Sequence, residues 1–459
     1  MKLSSSLEVD WSTPQQPIPQ TISQGTVEYK RAGMALFLLG FASFSLIYCV
    51  QPLLPNLSQS FHIAPSASAL ALSLTTGFLA MSIVLSSAFS QTLGRKGLMF
   101  FSMLLASILN VVCAVSPSWH VLMVSRSLEG FVLGGVPAVA MAWIAEEISP
   151  KNLSKTMGLY IAGTAFGGMM GRVGMGILTE FFSWRISMAI LGGLCLFCAF
   201  GFLRLLPNSR NFIAQQSISF KFHLHAWYAH LSHTRLLKIY GIGFLLTSVF
   251  VTLFNYVTFR LFAAPYHLSQ TQISLIFLSY SLGIISSSIA GNIADRIGKK
   301  QMMILGFSCM LLGVLLTLSA SLFLIILGIG CVTTGFFIAH AIASSRVGEL
   351  ATSNKGHATS LYLLFYYLGS SIVGAYGGNI WQSHGWNGIV ILNIFLILIA
   401  LIVIFSIKPL HSPSLTHSEY LHHATTLICL RYFRAKQTQC SYFRSDWRYM
   451  EQRLCERFA

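Results

Sequence analysis

Charged and titratable side chains inside long apolar runs are the first residues to ask for chemistry, because hydrocarbon does not hold an idle charge cheaply. Arg126 and Glu129 lie three residues apart in Arg126-Ser-Leu-Glu129-Gly130. That spacing puts both on one helix face, within pairing distance. Glu129 falls roughly 15 Å along its run at about 1.5 Å per helical residue, near the middle of a bilayer. An acid beside an arginine at that depth is either a proton-responsive pair or a fixed structural ion pair. Arg172 has three available fates. It binds an anionic substrate group or a proton carrier, pairs with Glu180, or snorkels toward the surface. Histidine as a residue type titrates near neutral pH, which makes His340 the reserve candidate for proton coupling, the alternative being a hydrogen-bonded core histidine. Gln51, Asn255, Tyr256, Phe336, Phe337, Tyr366 and Tyr367 are the polar and aromatic residues placed to line a substrate cavity, although aromatic rings on apolar helices also serve packing. No P-loop, H-E-x-x-H or G-x-S-x-G motif is present, so neither ATP-driven transport nor hydrolysis has support.

The elements that carry these residues are apolar and long. Of 459 residues, 54% are hydrophobic and only 9% charged. A soluble domain carries about 25% charged residues, so a soluble enzyme, like a disordered or fibrous chain, is excluded. Apolar segments recur near 32–55, 68–90, 97–115, 119–144, 154–178, 184–205, 237–259, 270–291, 301–319, 321–345, 357–379 and 387–407. Each is long enough to cross about 30 Å of hydrocarbon, and only helices or closed barrels satisfy their own backbone there. The sequence therefore predicts an all-α membrane protein of twelve transmembrane helices. The formal charge of +16 does not mark a nucleic-acid protein, because the basic residues collect in alternate loops and the two ends of the chain. By the positive-inside rule that pattern places both termini in the cytoplasm. The segment 1–31 lacks the layout of a cleaved signal, and the first apolar run reads as an uncleaved anchor. Cys195-x-x-Cys198 has a redox spacing, yet it and the other span cysteines read as small packing residues.

The two halves repeat. Tyr160 and Tyr362 are each followed seven residues later by glycine, and Trp184 and Trp386 each open a run, both at an offset of 202; Gly94 and Gly298 are offset by 204. A nearly constant offset indicates a 6+6 duplication, with the binding site between the halves. The expected organisation is a cytoplasmic segment 1–31, a six-helix half 32–205, a cytoplasmic linker 206–236, a second half 237–408 and a tail 409–459. The tail holds His411, His417, His422, His423, Cys429, Cys440 and Cys455, whose spacings match no zinc pattern. A basic amphipathic surface helix over 430–458 is the other reading of that segment.

These motifs resemble a known family. Gly291-Asn-Ile-Ala-Asp295-Arg296-Ile-Gly298-Lys299-Lys300 is similar to the loop signature of the major facilitator superfamily. The first copy, Ser87 to Lys96, departs from it, with Ser87 for the expected Gly and Gln91 for the expected Asp; Gly94, Arg95 and Lys96 remain. The resemblance implies that both loops gate the cytoplasmic side, with Asp295 as the surviving acid. Gly163, Gly167 and Gly171 on one face of the fifth run resemble the glycine-rich signature of drug:proton antiporters, although Gly168 stands where Pro is usual. Tyr48 to Pro52, Gly335 to His340, Ser360 to Tyr362 and Tyr366 to Ser371 resemble the YnfM-like group of bacterial inner-membrane transporters, over roughly 30–408. In the superfamily the fourth span lines the central cavity, and its R-x-x-[QE]-G motif, here Arg126 to Gly130, is linked to proton coupling. The resemblance implies a monomeric secondary transporter in the inner membrane, not an enzyme. It needs no cofactor, is energised by the proton gradient, and exports a small amphipathic molecule with the lipid bilayer as its other partner. Import or facilitated diffusion of a sugar or metabolite is the rival within transport. A non-transporting membrane sensor or scaffold is the rival outside it.

Overall fold

Apolar composition and satisfied backbone dictate helix after helix, and the computed structural model, which describes residues 21–89, 94–211 and 220–407, is built of them. Gln91 and the tail beyond 407, with its His and Cys residues, lie outside the described residues. The elements are α1 (Val27–Tyr48), a 3-10 turn (Gln51–Leu53), α2 (Leu54–Ser60), α3 (Pro65–Phe89), α4 (Arg95–Ala114), α5 (Trp119–Leu133), α6 (Val136–Glu147), α7 (Leu153–Phe181) and α8 (Trp184–Leu205). They continue with α9 (Phe220–Ser232), α10 (Thr234–Phe262), α11 (Gln270–Leu275), a 3-10 turn (Ile276–Ser279), α12 (Tyr280–Ile297), α13 (Lys299–Leu316), α14 (Leu322–Leu350) and α15 (Lys355–Phe405). Among the described residues no strand forms, apart from one isolated bridge between Ile22 and Ile148. Nine helices or helix groups among them are long and apolar enough to cross a membrane.

Three apolar runs that read as single spans are broken, each for a local reason. The first ends its regular helix at Tyr48, and a 3-10 turn over Gln51–Leu53, with Pro52 in its first turn, leaves Gln51 buried. The fourth breaks after Leu133, where Pro137 cannot donate to the preceding turn and instead opens α6. The eighth passes from α11 through a 3-10 turn into α12. The last two predicted spans run together as the 51 residues of α15. At Gly385 the backbone takes φ 58° and ψ −148°, which separates 355–384 from 386–405. Gly298, at φ 97°, joins α12 to α13 in a backbone conformation that favours glycine. The linker carries one element that composition did not reveal, α9. Its His223 ring nitrogen lies 2.8 Å from that of His357 at the start of α15.

Helix packing follows the glycine faces. A Cβ on Gly163 would meet the Phe37 carbonyl at 2.7 Å, and one on Gly171 would meet Ser45 Cα at 2.6 Å, so α7 lies directly against α1. Gly369 on α15 faces the Phe244 carbonyl of α10 as Gly167 faces that of Phe41 on α1. The six cysteines among the described residues are free, four of them buried.

The first and second sets of helices meet near Pro65, the last turn of α7 and the start of α11. There Ser371 Oγ donates to the Ser73 carbonyl at 2.6 Å and Gln270 Nε2 donates to the Pro52 carbonyl. The Thr271 amide donates to Glu180 at 3.0 Å. Gly176 packs on Ser274 and Gly378 on Ser66. At the opposite end, ion pairs hold each set to itself: Arg95 with Glu146 at 2.6 Å, and Lys299 with Glu349.

Candidate functional site

The charges inside the bundle are satisfied in two different ways. Arg126 and Glu129 on α5 are both fully buried and pair at 2.6 Å. Because α1 stops at Tyr48, the carbonyls of its last turn lack intrahelical donors. Arg126 fills that need, donating to Leu46 O at 3.0 Å and Ile47 O at 2.7 Å, and reaches Ala71 O on α3 at 3.2 Å. Asn110 on α4 donates to the other Glu129 oxygen at 3.4 Å. The pair is thus enclosed by α1, α3 and α4, and ties three helices of the first set together. Arg185 and Arg260 work similarly. Arg185 donates to Ala114 O and Ser116 O at the end of α4, and Arg260 to Thr317 O and Ser319 O beyond α13.

Arg172 is different. It is 2% exposed and no carboxylate among the described residues pairs with it. Glu180, one of its expected partners, instead accepts from the start of α11, and the buried guanidinium does not snorkel. Its Nε donates to Gln51 Oε1 at 2.6 Å and its Nη1 to the Gly168 carbonyl. The rings of Tyr48, Tyr280 and Phe277 surround it, with centroids 4.0, 4.8 and 5.2 Å from the guanidinium carbon. Gln51 Nε2 in turn donates to Asn255 Oδ1 on α10 at 2.8 Å, so the chain Arg172–Gln51–Asn255 crosses from the first set of helices to the second.

An aromatic wall extends from Tyr280. Phe250 lies 5.5 Å from it and stacks on Phe336 at 3.9 Å, and Phe337 lies 5.7 Å from Tyr280. Phe336 stacks on His340, whose Nδ1 is 2.9 Å from Tyr362 Oη. Tyr366 lies 4.8 Å from His340, and Tyr367 stands edge-on to Tyr366. Gln51, Arg172, Asn255, Phe336, Phe337, Tyr366, Tyr367 and His340 are therefore linked through one polar and aromatic system. Tyr256 is elsewhere. Its hydroxyl donates to Gly374 O at 2.8 Å and its ring faces Phe259 and Trp381, holding α10 to α15.

At the other end, Asp295 and Arg296 are exposed, and Asp295 makes no ion pair among the described residues. The acids that engage the loop basics are Glu146 and Glu349, neither singled out by sequence. Arg95 and Lys299 differ by 204, Glu146 and Glu349 by 203, so the offset already found for the glycines would have found them. Asn110 and the rings of Tyr48, Phe277 and Tyr280 were also missed; a lone amide or ring in an apolar run carries no signal of its own. A separate crevice of about 270 Å³ lies between α1, α7 and α8. Its lining, from Phe41 and Phe166 to Leu194, is apolar, and it belongs to helix packing.

A helical bundle this apolar, with a buried cation and an aromatic wall where two sets of helices meet, defines a multi-pass membrane protein of the transporter class. Comparison with known proteins gives the family. The sequence model of the Major Facilitator Superfamily matches residues 36–264 and 241–438. The inner membrane transport protein YnfM of Escherichia coli (strain K12) is 42% identical over 388 residues, 84% of this chain and 92% of the relative. The uncharacterized MFS-type transporter YybF of Bacillus subtilis (strain 168) is 40% identical over 380 residues, 83% and 94% of the two chains. The solved structure of the nucleoside transporter NupG shares the fold with TM-score 0.69 at 14% identity, covering 82% of this chain and 99% of that one. The chain belongs to the Major Facilitator Superfamily, whose matched relatives are named as transporters and not as enzymes.

Proposed function

We propose that the protein is a proton-coupled exporter of a small amphipathic molecule, working by alternating access of two six-helix halves in a bacterial inner membrane. Twelve spans follow if α5 with α6, α11 with α12, and the two parts of α15 are each counted as crossings. The duplication is supported by contacts that recur at the sequence offset. Gly176 against Gln270 and Ser274 is mirrored by Gly378 against Ser66. The Arg95–Glu146 pair is mirrored by Lys299–Glu349. The basic loops then place both termini in the cytoplasm. In that orientation the halves meet on the outer side.

The observation that carries this reading is the buried Arg172–Gln51–Asn255 chain crossing between the halves. A polar link at the junction of two rocking bodies is where substrate binding and closure meet. The proton step falls to Glu129. Its carboxylate holds Arg126, and Arg126 holds the last carbonyls of α1, one turn before Gln51. A proton on Glu129 cancels the ion pair, loosens that cap and thereby biases the Gln51 link; His340 is the second titratable group, on the aromatic wall. The monomer needs only the proton gradient, with no cofactor.

Inverted membrane vesicles with an imposed pH gradient and a fluorescent pH probe test this. Solutes are added to the wild type and to Glu129→Gln. The expected result is a solute-evoked proton flux that Glu129→Gln abolishes, a loss of at least about a hundredfold given the size of general acid–base effects. Flux retained in the variant would remove Glu129 from the coupling step, and uptake without proton movement would favour facilitated diffusion.

A further inference from the structure

We infer that Arg172 is the anchor for an organic monoanion, a carboxylate attached to an aromatic or similarly flat apolar body. This deepens the transport reading and rests on it in treating the junction between the halves as the cargo site.

Three observations converge. The first is charge. A guanidinium buried at this depth needs a compensating anion or a full set of acceptors. Arg126 has Glu129; Arg185 and Arg260 have pairs of carbonyls at helix ends. Arg172 has two acceptors, Gln51 Oε1 and Gly168 O, and its Nη2 donates to no described residue. The positive charge is left for a ligand to neutralise.

The second is the direction of the hydrogen bonds. Arginine only donates, so the Gln51 atom facing it is the carbonyl oxygen. Gln51 Nε2 must then donate onward, and the Asn255 atom receiving it is Oδ1. That leaves Asn255 Nδ2 as the end of the chain, fully buried and without an acceptor. Both open positions of the network, one on each half, are donors. A carboxylate, which accepts at both oxygens, suits two such donors.

The third is shape. Tyr48, Phe277 and Tyr280 enclose the guanidinium face, and the rings continue from Tyr280 toward Phe336 and His340. An anion held at the Nη2 edge would have its apolar body directed along rings already in place. The frame is otherwise duplicated, but the position matching Arg172 by the 202 offset is Gly374, whose absent side chain leaves Asn255 Nδ2 3.5 Å from where a Cβ would be. One cation in a two-fold frame fits one negative charge.

Equilibrium dialysis on the full chain in lipid nanodiscs, with no gradient, tests this apart from transport. The probes are 2-naphthoate, its uncharged amide 2-naphthamide, and acetate as an anion with no ring. The expected order for the wild type is 2-naphthoate tighter than either other probe by at least about tenfold. Arg172→Gln should bring acid and amide to equal affinity, and Arg172→Lys should keep part of the preference. Equal binding of acid and amide by the wild type overturns the proposal without any variant. So does an acid preference that persists in Arg172→Gln, acetate binding as tightly as 2-naphthoate, or no binding of 2-naphthoate below about 1 mM. None of these results bears on whether protons are moved, which the vesicle experiment decides.

Discussion

Arg126 and Arg172 show two solutions to one problem, a guanidinium in the interior of a membrane bundle. Arg126 faces a carboxylate on its own helix and the unpaired carbonyls that the end of α1 exposes, so every part of it has work in holding α1, α3 and α5 together. Removing one partner of such a pair strands the other. Arg126→Met should therefore lower the stability of the detergent-solubilised protein by about 3–5 kcal/mol. Adding Glu129→Leu should restore part of that loss, because the isolated carboxylate goes with it. Thermal denaturation of the two single variants and the double variant measures this; strictly additive losses would mean that the pair is not coupled. Both arginines were visible as anomalies in the sequence, and so was the i, i+3 pairing. What could not be read there was their surroundings. The end of α1 decides what Arg126 binds, and Gln51 reaches Arg172 from the 3-10 turn that follows it.

At the scale of the element, hydropathy alone located every long helix, since length and apolarity are what a bilayer demands. Breaks within helices were less legible. The Pro137 break and the Gln51–Pro52 turn keep the apolar composition of a continuous span, so composition passes over them. The linker helix α9 was missed for the opposite reason: its His and aromatic residues look like a polar connector until His223 is seen against His357. Gly385 is the clearest case of a local rule setting a large feature. A continuous 51-residue helix would be about 76 Å long, far beyond the roughly 30 Å of hydrocarbon. The chain turns at Gly385 with φ 58° and ψ −148°, where a side chain is strained although nothing lies within 4 Å of the Cβ position. Gly385→Ala should therefore cost about 1–3 kcal/mol from backbone strain alone. Gly193→Ala, in a helical position equally open in space, should be neutral or slightly stabilising. Equal melting temperatures for the two variants would show that the turn does not depend on glycine.

At the scale of the molecule, the contacts divide by end. Near Ser66 and Ser73 the bonds run between the two sets of helices, while Arg95–Glu146 and Lys299–Glu349 bind each set to itself. This division suits two bodies that part at one end while they meet at the other, and a rocking exchange requires the meeting end to open during every cycle. Ser66 Oγ and Gln382 Oε1 are 3.5 Å apart across it, on α3 and α15. Placing cysteines there, in a background whose nine native cysteines are replaced by serine, puts two thiols within reach of a short bifunctional thiol reagent. Cross-linked Ser66→Cys/Gln382→Cys should lose solute-evoked flux to background, regain it after reduction of a cleavable linker, and still bind 2-naphthoate from the open end. The single-cysteine chains should be unaffected by the reagent. Undiminished flux through fully cross-linked protein would mean that this end never opens, and alternating access between these halves would fail as the mechanism. Loss of binding together with flux would instead place the binding step on the outer side of the cross-link, because access to Arg172 would then require the halves to part at Ser66.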